Sequence, residues 1–201
     1  MKNKTITSLI AAASLIAGPA TAEPIQSFVD VCLSTNGEPP AVAAAAETGG
    51  WFKMPAEVAD DMGEDFRDPA AYINFDPNKL KAGAPIGPIE VLMTGWGDGK
   101  AIMEIDGLRL DFCGLISPEA DSQTLNRDMT TRLGFSPITR DDMTFWLFSR
   151  RSGAFVSEAA LIDIEDNNLV EAVRKRKLYA LYIIAQDDMA GLVLGAIRPA
   201  L

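Results

Sequence analysis

The segment RLDFCGLISPEA, residues 109–120, contains one of the two cysteines of this 201-residue chain. Apolar and polar residues alternate in its first half, which predicts a β-strand. Side chains alternate between the two faces of a strand, so Leu110 and Phe112 point to one face and Cys113 points to the other. The following Ser117-Pro118-Glu119 is typical of a helix start, with the serine as N-cap and the proline as first helical residue.

The residues before this segment predict a β-hairpin. The runs KAIMEI (100–105) and LRLDFC (108–113) flank Asp106-Gly107. Asp-Gly between two alternating runs is a strong hairpin signal. In the resulting register Glu104 and Arg109 lie directly opposite each other and form a pair of opposite charge.

The first residues after position 23 predict a helix that carries the other cysteine. Ile25, Phe28, Val29 and Cys32 recur at three- and four-residue spacing and therefore share one face. Asn36-Gly37 is typical of the end of such a helix. Cys32 thus lies on an apolar stripe that needs a surface to cover.

Two cysteines in an exported chain indicate one disulfide, here between Cys32 and Cys113. Because Cys113 and Leu110 point to opposite faces of their strand, this bridge predicts where the first helix lies. We expect that helix to lie across the sheet face opposite Leu110.

A second, alanine-rich helix is predicted from Pro40 to Thr48. Residues 51–88 then contain five prolines and little sustained periodicity. They are interpreted as a long excursion, a candidate functional loop. The side chains expected to pack this excursion on the domain are Trp51, Phe52, Phe66 and Tyr72.

The rest of the chain alternates between strand and helix patterns. Leu125, Met129 and Leu133 form a helical stripe that ends at Gly134, and another helix is predicted around Leu169–Arg176. The predicted strands are IEVLMTGW (89–96), MTFWLFSR (143–150), KLYALYIIAQ (177–186) and GLVLGAIRP (191–199). Together these elements predict an α+β domain: a mainly antiparallel sheet with an N-terminal helical pair and further helices packed on it.

Residues 1–22 have the layout of a secretory signal peptide. Lys2 and Lys4 precede an apolar run from Ile6 to Ile16, and Ala20-Thr21-Ala22 offers small residues for cleavage. The apolar run is shorter than the roughly 20 residues that span a bilayer. We therefore expect residues 23–201 to form a single exported domain, periplasmic or secreted, without a membrane span.

The charge balance disfavours nucleic acid as a partner. The chain has 28 acidic and 18 basic side chains and a formal net charge of −10. Such a surface repels nucleic acid and anionic lipid. It favours solubility and is compatible with a protein partner in the cell envelope; the sequence leaves the oligomeric state open.

The residue types of most hydrolases and metal sites are missing or wrongly spaced. The chain has no histidine, so the usual acid–base dyads and triads are absent. GWGDGK (95–100) lacks the spacing of a phosphate loop. The acidic clusters ADDMGEDFRD (59–68) and DIEDNN (163–168) are interpreted as solvated surface, with a calcium site or a carboxylate pair as alternatives. No catalytic residue, metal ligand or cofactor is predicted, and an enzyme is not the favoured interpretation.

Six side chains are candidates for an interaction surface. The basic run at 174–177 is unusual in an acidic chain, although cations also suit the end of a helix. Exposed tryptophans anchor many interfaces, although core packing is the alternative role. The candidates are Trp51, Trp96, Arg174, Lys175, Arg176 and Lys177.

Three short segments resemble a group of small exported bacterial proteins of unknown function. The matching features are SFVDVCL (27–33), AVAAAAETGGW (41–51) and DGLRLDFCGL (106–115). The resemblance supports the two-cysteine bridge and implies no activity. The first hypothesis is therefore a non-catalytic module that binds a protein partner or tunes the envelope. The alternatives are a carrier of a small apolar ligand, held between the sheet and residues 51–88, and a carboxylate-based hydrolase.

Overall fold

The computed structural model describes residues 24–60, 65–75, 81, 89–118, 120–140, 143–186 and 189–200. The predicted signal peptide lies outside these residues. Within them, nine strands form one sheet in which every pair is antiparallel. The strands are β1 Phe52–Lys53, β2 Phe66–Asn74, β3 Glu90–Asp98, β4 Leu108–Ser117, β5 Ile138–Arg140, β6 Met143–Arg151, β7 Ala154–Ser157, β8 Leu178–Gln186 and β9 Met189–Pro199.

Helices pack on this sheet, and the fold is α+β as predicted. The α-helices of the described residues are α1 Pro24–Phe28, α2 Pro39–Thr48, α3 Ala56–Asp60, α4 Gly99–Met103, α5 Ser122–Leu133 and α6 Asp166–Lys175. Helix α1 continues into a π-helical turn, Val29–Leu33, and a 3₁₀ turn, Ala159–Leu161, follows β7. None of the described helices has the length and apolar character needed to cross a membrane.

The sheet has the order β1-β2-β3-β4-β9-β8-β6-β5, and β7 also pairs with β6. Strands β4 and β9 lie in the middle and are mostly buried along their length. Such strands are apolar on both faces, because both faces pack against other residues. We call the face that bears Cys113 the cysteine face and the face that bears Leu110 the opposite face.

The cysteine face is covered by the N-terminal helices and by α5. The side chains of Phe28, Val42 and Met129 are fully buried in one cluster with Cys113. A disulfide joins Cys32 to Cys113, with 5.5 Å between the Cα atoms. The predicted bridge is present, and the first helix lies across the face opposite Leu110, as expected.

The opposite face is covered at one end by α6 and the 3₁₀ turn. Val173 of α6 packs there with Leu108, Leu178 and Ile197 in a second, smaller cluster, against which Leu110 also packs. The cover therefore lies over the beginnings of β4 and β8 and over the end of β9.

The hairpin predicted around Asp106-Gly107 is wrong. Strand β4 pairs with β3 and β9, and the run expected to be its hairpin partner forms helix α4. Gly97 has a specific role here, because a Cβ atom added to it would lie 2.2 Å from Ile102 Cδ1. Glycine thus allows α4 to fold back closely against β3.

The predicted pair of Glu104 and Arg109 is also wrong, because the two residues do not face each other in a hairpin. Glu104 ends α4 in a left-handed conformation, with φ of 60°. Arg109 forms its ion pair with Asp111 on its own strand, with Nε and Oδ1 2.6 Å apart.

The start of α5 is later than predicted. Ser117 is the last residue of β4 rather than an N-cap. The cap is Asp121, whose carboxylate accepts hydrogen bonds from the backbone N–H groups of Gln123 and Thr124. The buried stripe of the helix and its end at Gly134, with φ of 83°, are as predicted.

Residues 51–88 are not simply a loop. Residues 66–74 form β2, which pairs with β3 and belongs to the sheet. Pro69 lies where the pairing register shifts, and a proline is tolerated there because its missing N–H is not needed in the ladder. Trp51 and Tyr72 are buried as expected, whereas Phe52 is 43% exposed. Residues 61–64, 76–80 and 82–88 lie outside the described part.

Candidate functional site

The two cysteines are structural. Both side chains are fully buried, and the bridge between Cys32 and Cys113 leaves no free thiol in the chain. A thiolate is the nucleophilic form of cysteine, so this pair offers no nucleophile while the bridge is intact.

The two candidate tryptophans lie in different environments. Trp51 is 7% exposed and belongs to the main core cluster, next to the end of α2. Trp96 is half-buried on β3, and its indole Nε1–H donates to Asp68 Oδ2 over 2.8 Å. Trp51 is therefore a core residue, and only Trp96 remains available at the surface.

The basic run at 174–177 does not form one patch. Its members diverge because α6 ends at Lys175 and β8 begins at Leu178. Arg174 is exposed on the last turn of α6. The other three form separate ion pairs: Lys175 with Glu171 at 3.2 Å, Arg176 with the buried Glu158 at 2.8 Å and Lys177 with Glu38 at 3.1 Å.

The structure instead brings three arginines together at one end of the cysteine face, in a set we call the arginine row. The strand register places Arg109 of β4 opposite Arg198 of β9. On β6, Ser149 pairs with Leu178 on the opposite face. The next residue, Arg150, therefore lies on the cysteine face, like Arg109 and Arg198. Each guanidinium stacks on an aromatic ring: Arg109 on Trp96 at 4.3 Å, Arg150 on Phe155 at 4.8 Å and Arg198 on Tyr179 at 5.3 Å. Such stacking holds the planar groups in fixed orientations.

The turn after the first helix is held by this row. The Asn36 Oδ1 atom accepts hydrogen bonds from Arg150 Nη1 at 3.0 Å and from the Tyr179 hydroxyl at 3.2 Å. The Asn36 carbonyl accepts from Arg198 Nη2 at 3.0 Å. Asn36 has φ of 57°, a left-handed conformation that asparagine tolerates better than most residues.

Two carboxylates accompany the arginine row and differ in exposure. Asp111 is buried and lies 2.6 Å from Arg109 and 3.7 Å from Arg198. The Glu38 side chain is 43% exposed and lies 3.1 Å from Lys177 and 3.8 Å from Arg198. Asp111 is therefore a fixed part of the fold, whereas Glu38 can exchange its contacts with solvent.

A second feature, which we call the apolar patch, lies on the opposite face, at the end away from α6. Three of its side chains are exposed: Met143 at 55%, Met189 at 47% and Ile184 at 39%. Three more large side chains beside them are half-buried: Phe145, Tyr182 and Val193. A contiguous patch of large apolar side chains, unlike a single exposed one, often marks a contact surface.

The register explains why these six side chains are neighbours. Phe145 pairs with Tyr182 and Tyr182 pairs with Val193, so three adjacent strands present them in one row. The rings of Phe145 and Tyr182 stack with centroids 5.6 Å apart, and burial raises the pKa of the Tyr182 hydroxyl. The alternation along β6 and β8 then places Met143 and Ile184 in the next row.

Sequence reasoning did not find the apolar patch. The strands β6 and β8 are apolar on both faces, a pattern that predicts full burial. Exposure of Met143 and Ile184 depends on where the helices lie, which is a tertiary property. The signal present in the sequence was the surplus of apolar residues in β8 and β9 over the number of helices able to cover them.

A buried carboxylate lies where α1 meets β3. Glu90 is 8% exposed and accepts hydrogen bonds from Ser27 Oγ at 3.0 Å and from Asn74 Nδ2 at 3.4 Å. Burial raises the pKa of the Glu90 carboxyl, and these two hydrogen bonds oppose the rise without cancelling it. The arrangement joins the first helix to β3 and has no second titratable group in the described contacts with which to form a catalytic pair.

A small cavity lies between β4, β9 and α5, lined by residues that include Leu115, Leu125 and Leu192. No part of it is wide enough to hold a water molecule. Pockets for small ligands usually measure roughly 300–1,000 Å³. Among the described residues, no three His, Cys, Asp or Glu side chains are arranged to hold a metal ion; residues 61–64 of the first acidic cluster lie outside that part.

Comparison with protein-family models, with curated proteins and with solved structures found no match for this chain.

Proposed function

We propose that this protein is an exported, non-catalytic module that binds a protein partner of the cell envelope through the apolar patch. The observation that carries the proposal is the exposure of Met143, Ile184 and Met189 on a face whose other end is packed under α6. Six large apolar side chains are exposed among the described residues, and these three lie on one face of three adjacent strands. Exposed apolar side chains that adjoin in one patch often mark a contact surface.

Burial of the apolar patch contributes favourable free energy to a contact. Full burial of a Met or Ile side chain stabilises by roughly 1.5–3 kcal/mol, so completing the burial of a half-exposed one contributes about 1 kcal/mol. Three exposed and three half-buried side chains together then contribute several kcal/mol. Met143 and Met189 add adaptability, because the unbranched thioether side chain fits irregular surfaces.

Export is a separate part of this proposal. It is supported by the signal-peptide pattern of residues 1–22 and by a disulfide in the core, since disulfides persist in oxidising compartments. Fractionation of cells that produce the full chain tests it. Recovery of residues 23–201 from the periplasm or medium is the expected result, and retention of the uncleaved chain in the cytoplasm contradicts it.

The binding experiment is a pull-down from envelope extract with immobilised residues 23–201. Ile184→Glu places a charge at the centre of the apolar patch and should abolish retention of the partner. Val58→Glu is the matched control, because Val58 is exposed to a similar degree, 42%, and lies on α3 away from the patch. Circular dichroism and thermal unfolding check that both variants fold.

The result that contradicts the proposal is a specific partner retained equally by the Ile184→Glu variant and by the unaltered protein. A native mass spectrum separates this proposal from a carrier function. A co-purifying small apolar molecule, lost in the Ile184→Glu variant, would assign the patch to a ligand instead.

A further inference from the structure

The arginine row lies on the cysteine face, away from the apolar patch. Two cations at this end of the face are exposed to solvent. Arg150 is exposed, and its described partners are the neutral Asn36 amide and the Phe155 ring. Lys177 is 60% exposed, and its ion pair among the described residues is with the half-exposed Glu38. These cations are thus held in place and remain reachable from solvent.

The fixed geometry favours carboxylates as ligands. A guanidinium that stacks flat on a ring keeps the N–H groups of its edge free for paired hydrogen bonds with a carboxylate. The row already binds carboxylates of the chain itself: Asp111 lies at Arg109, and Glu38 lies between Lys177 and Arg198. In addition, Arg198 Nη1 is buried and has no hydrogen-bond partner among the described residues.

The two accessible cations lie side by side. Because Ser149 pairs with Leu178, Arg150 at the end of β6 lies next to Lys177, which directly precedes β8. Adjacent strands are about 4.8 Å apart, and alternate side chains of an extended peptide are about 7 Å apart. The long side chains of Arg150 and Lys177 can span this difference, so both can bind carboxylates of one peptide.

We propose that Arg150 of the arginine row and the neighbouring Lys177 form a binding site for an extended acidic peptide segment, whose carboxylates they bind. Glu38 occupies the Lys177 position when no peptide is bound and is displaced by the peptide carboxylate. Asp111 and Arg198 stay in place and hold the row and the Asn36 turn together.

The test uses residues 23–201 and a fluorescein-labelled peptide of alternating glutamate and alanine, measured by fluorescence anisotropy. We expect saturable binding that weakens as salt is added, and no binding of the matching glutamine–alanine peptide. Lys177→Gln and Arg150→Gln should each weaken binding about tenfold, the loss of one charge-assisted hydrogen bond. Arg132→Gln, an exposed arginine on the last turn of α5, is the matched control and should leave binding unchanged.

Glu38→Gln separates recognition from a structural role. Removing the internal carboxylate should tighten binding of the acidic peptide several-fold, although it also removes a native ion pair. If the row serves only to dock the turn, Glu38→Gln gives no gain in binding. The proposal is overturned by equal binding of the glutamine peptide, by unchanged binding in Lys177→Gln, or by unchanged or weaker binding in Glu38→Gln.

This site is independent of the function proposed above, and the two can fail separately. The Ile184→Glu variant should keep full affinity for the acidic peptide, because the apolar patch lies on the opposite face. Loss of peptide binding in that variant, while it remains folded, contradicts a separate site.

Discussion

The two faces of the sheet are formed by the same strands but differ in what lies over them. On β6, Phe148 points to the cysteine face and is 1% exposed, whereas Phe145 points to the opposite face and is only half-buried. The cysteine face carries α1, α2 and α5 and the disulfide, while α6 covers only one end of the opposite face. The difference arises from the connectivity, because the N-terminal helices are cross-linked to one face.

This comparison indicates a division of roles. The cysteine face contributes most of the buried apolar surface and so most of the stability, since hydrophobic burial is the main favourable term in folding. The opposite face leaves apolar surface exposed at Met143, Ile184 and Met189, where we propose that a partner binds. The predictions below test this division from the largest expected effect on stability to the smallest.

Removing the disulfide should have the largest effect. Closing a loop of 81 residues corresponds to about 4.5 kcal/mol in the chain-entropy description, and we expect Cys32→Ala with Cys113→Ala to lower the free energy of unfolding by roughly 3–5 kcal/mol. Urea unfolding of the oxidised protein and of the double variant measures this difference. Two free thiols in the exported, oxidised protein would falsify the bridge.

A matched pair of substitutions compares the two faces directly. Phe148→Ala removes a buried ring that stacks on Tyr179 at 5.3 Å and should cost about 3–4 kcal/mol. Phe145→Ala removes a half-buried ring from the same strand and should cost about 1–2 kcal/mol. Chemical denaturation of both variants gives the values. Equal losses would show that the opposite face is as important for stability as the cysteine face.

A third prediction concerns the contact of α1 with the sheet. The pKa of Glu90 is raised in the folded protein by burial, so its contribution to stability is complete below the unfolded pKa and declines as pH rises through the folded pKa. Glu90→Gln keeps an oxygen that accepts from Ser27 and Asn74 without the buried charge. We expect the variant to be more stable than the unaltered protein at neutral pH, with the gain vanishing near pH 4. A gain that does not change with pH contradicts this cause.

The smallest effect on stability is expected at Asp121, the N-cap of α5. Its contribution to stability depends on pH in the direction opposite to that of Glu90. The hydrogen bonds from Thr124 and Gln123 lower the pKa of Asp121, so its contribution is present above the unfolded pKa and is lost as pH falls through the folded pKa. Asp121→Ala should lower the thermal midpoint slightly at neutral pH, and the difference should shrink in acid. Asp121→Asn retains a cap and serves as the control. An undiminished difference in acid would assign the effect to something other than the ionised cap.

Much of the fold could be predicted because it depends on local patterns. The apolar stripe of Leu125, Met129 and Leu133, the Gly134 end and the strands of 143–150 and 177–199 all follow from spacing along the chain. The same is true of the opposite directions of Leu110 and Cys113. Alternation within one strand fixes which face each side chain takes, whatever its neighbours are.

The hairpin was predicted wrongly because local patterns do not choose strand partners. Residues 99–103 are compatible with a strand or a helical turn, and Asp106-Gly107 is compatible with several turns. Strand β4 pairs with β3 at one edge and with β9 at the other, and this pairing buries Phe112 and Leu115. Gly97 of β3 leaves room for Ile102 of α4. These gains come from distant residues, which a short window of sequence does not contain. β2 was missed for a related reason: the five prolines and weak periodicity of residues 51–88 suggested a long excursion.

The candidate sites, like the fold, depend partly on local sequence and partly on tertiary packing. The sequence by itself determined the residue types: two cysteines able to bridge, no histidine, and an excess of acidic over basic side chains. It also determined the direction of the side chains in those strands and helices that were predicted correctly. Only the tertiary structure decided that Trp51 is in the core, that the run 174–177 diverges, and that Arg109, Arg150 and Arg198 form one row. The physical reason is that periodicity acts over a few residues, whereas exposure and clustering depend on which distant strands and helices pack together.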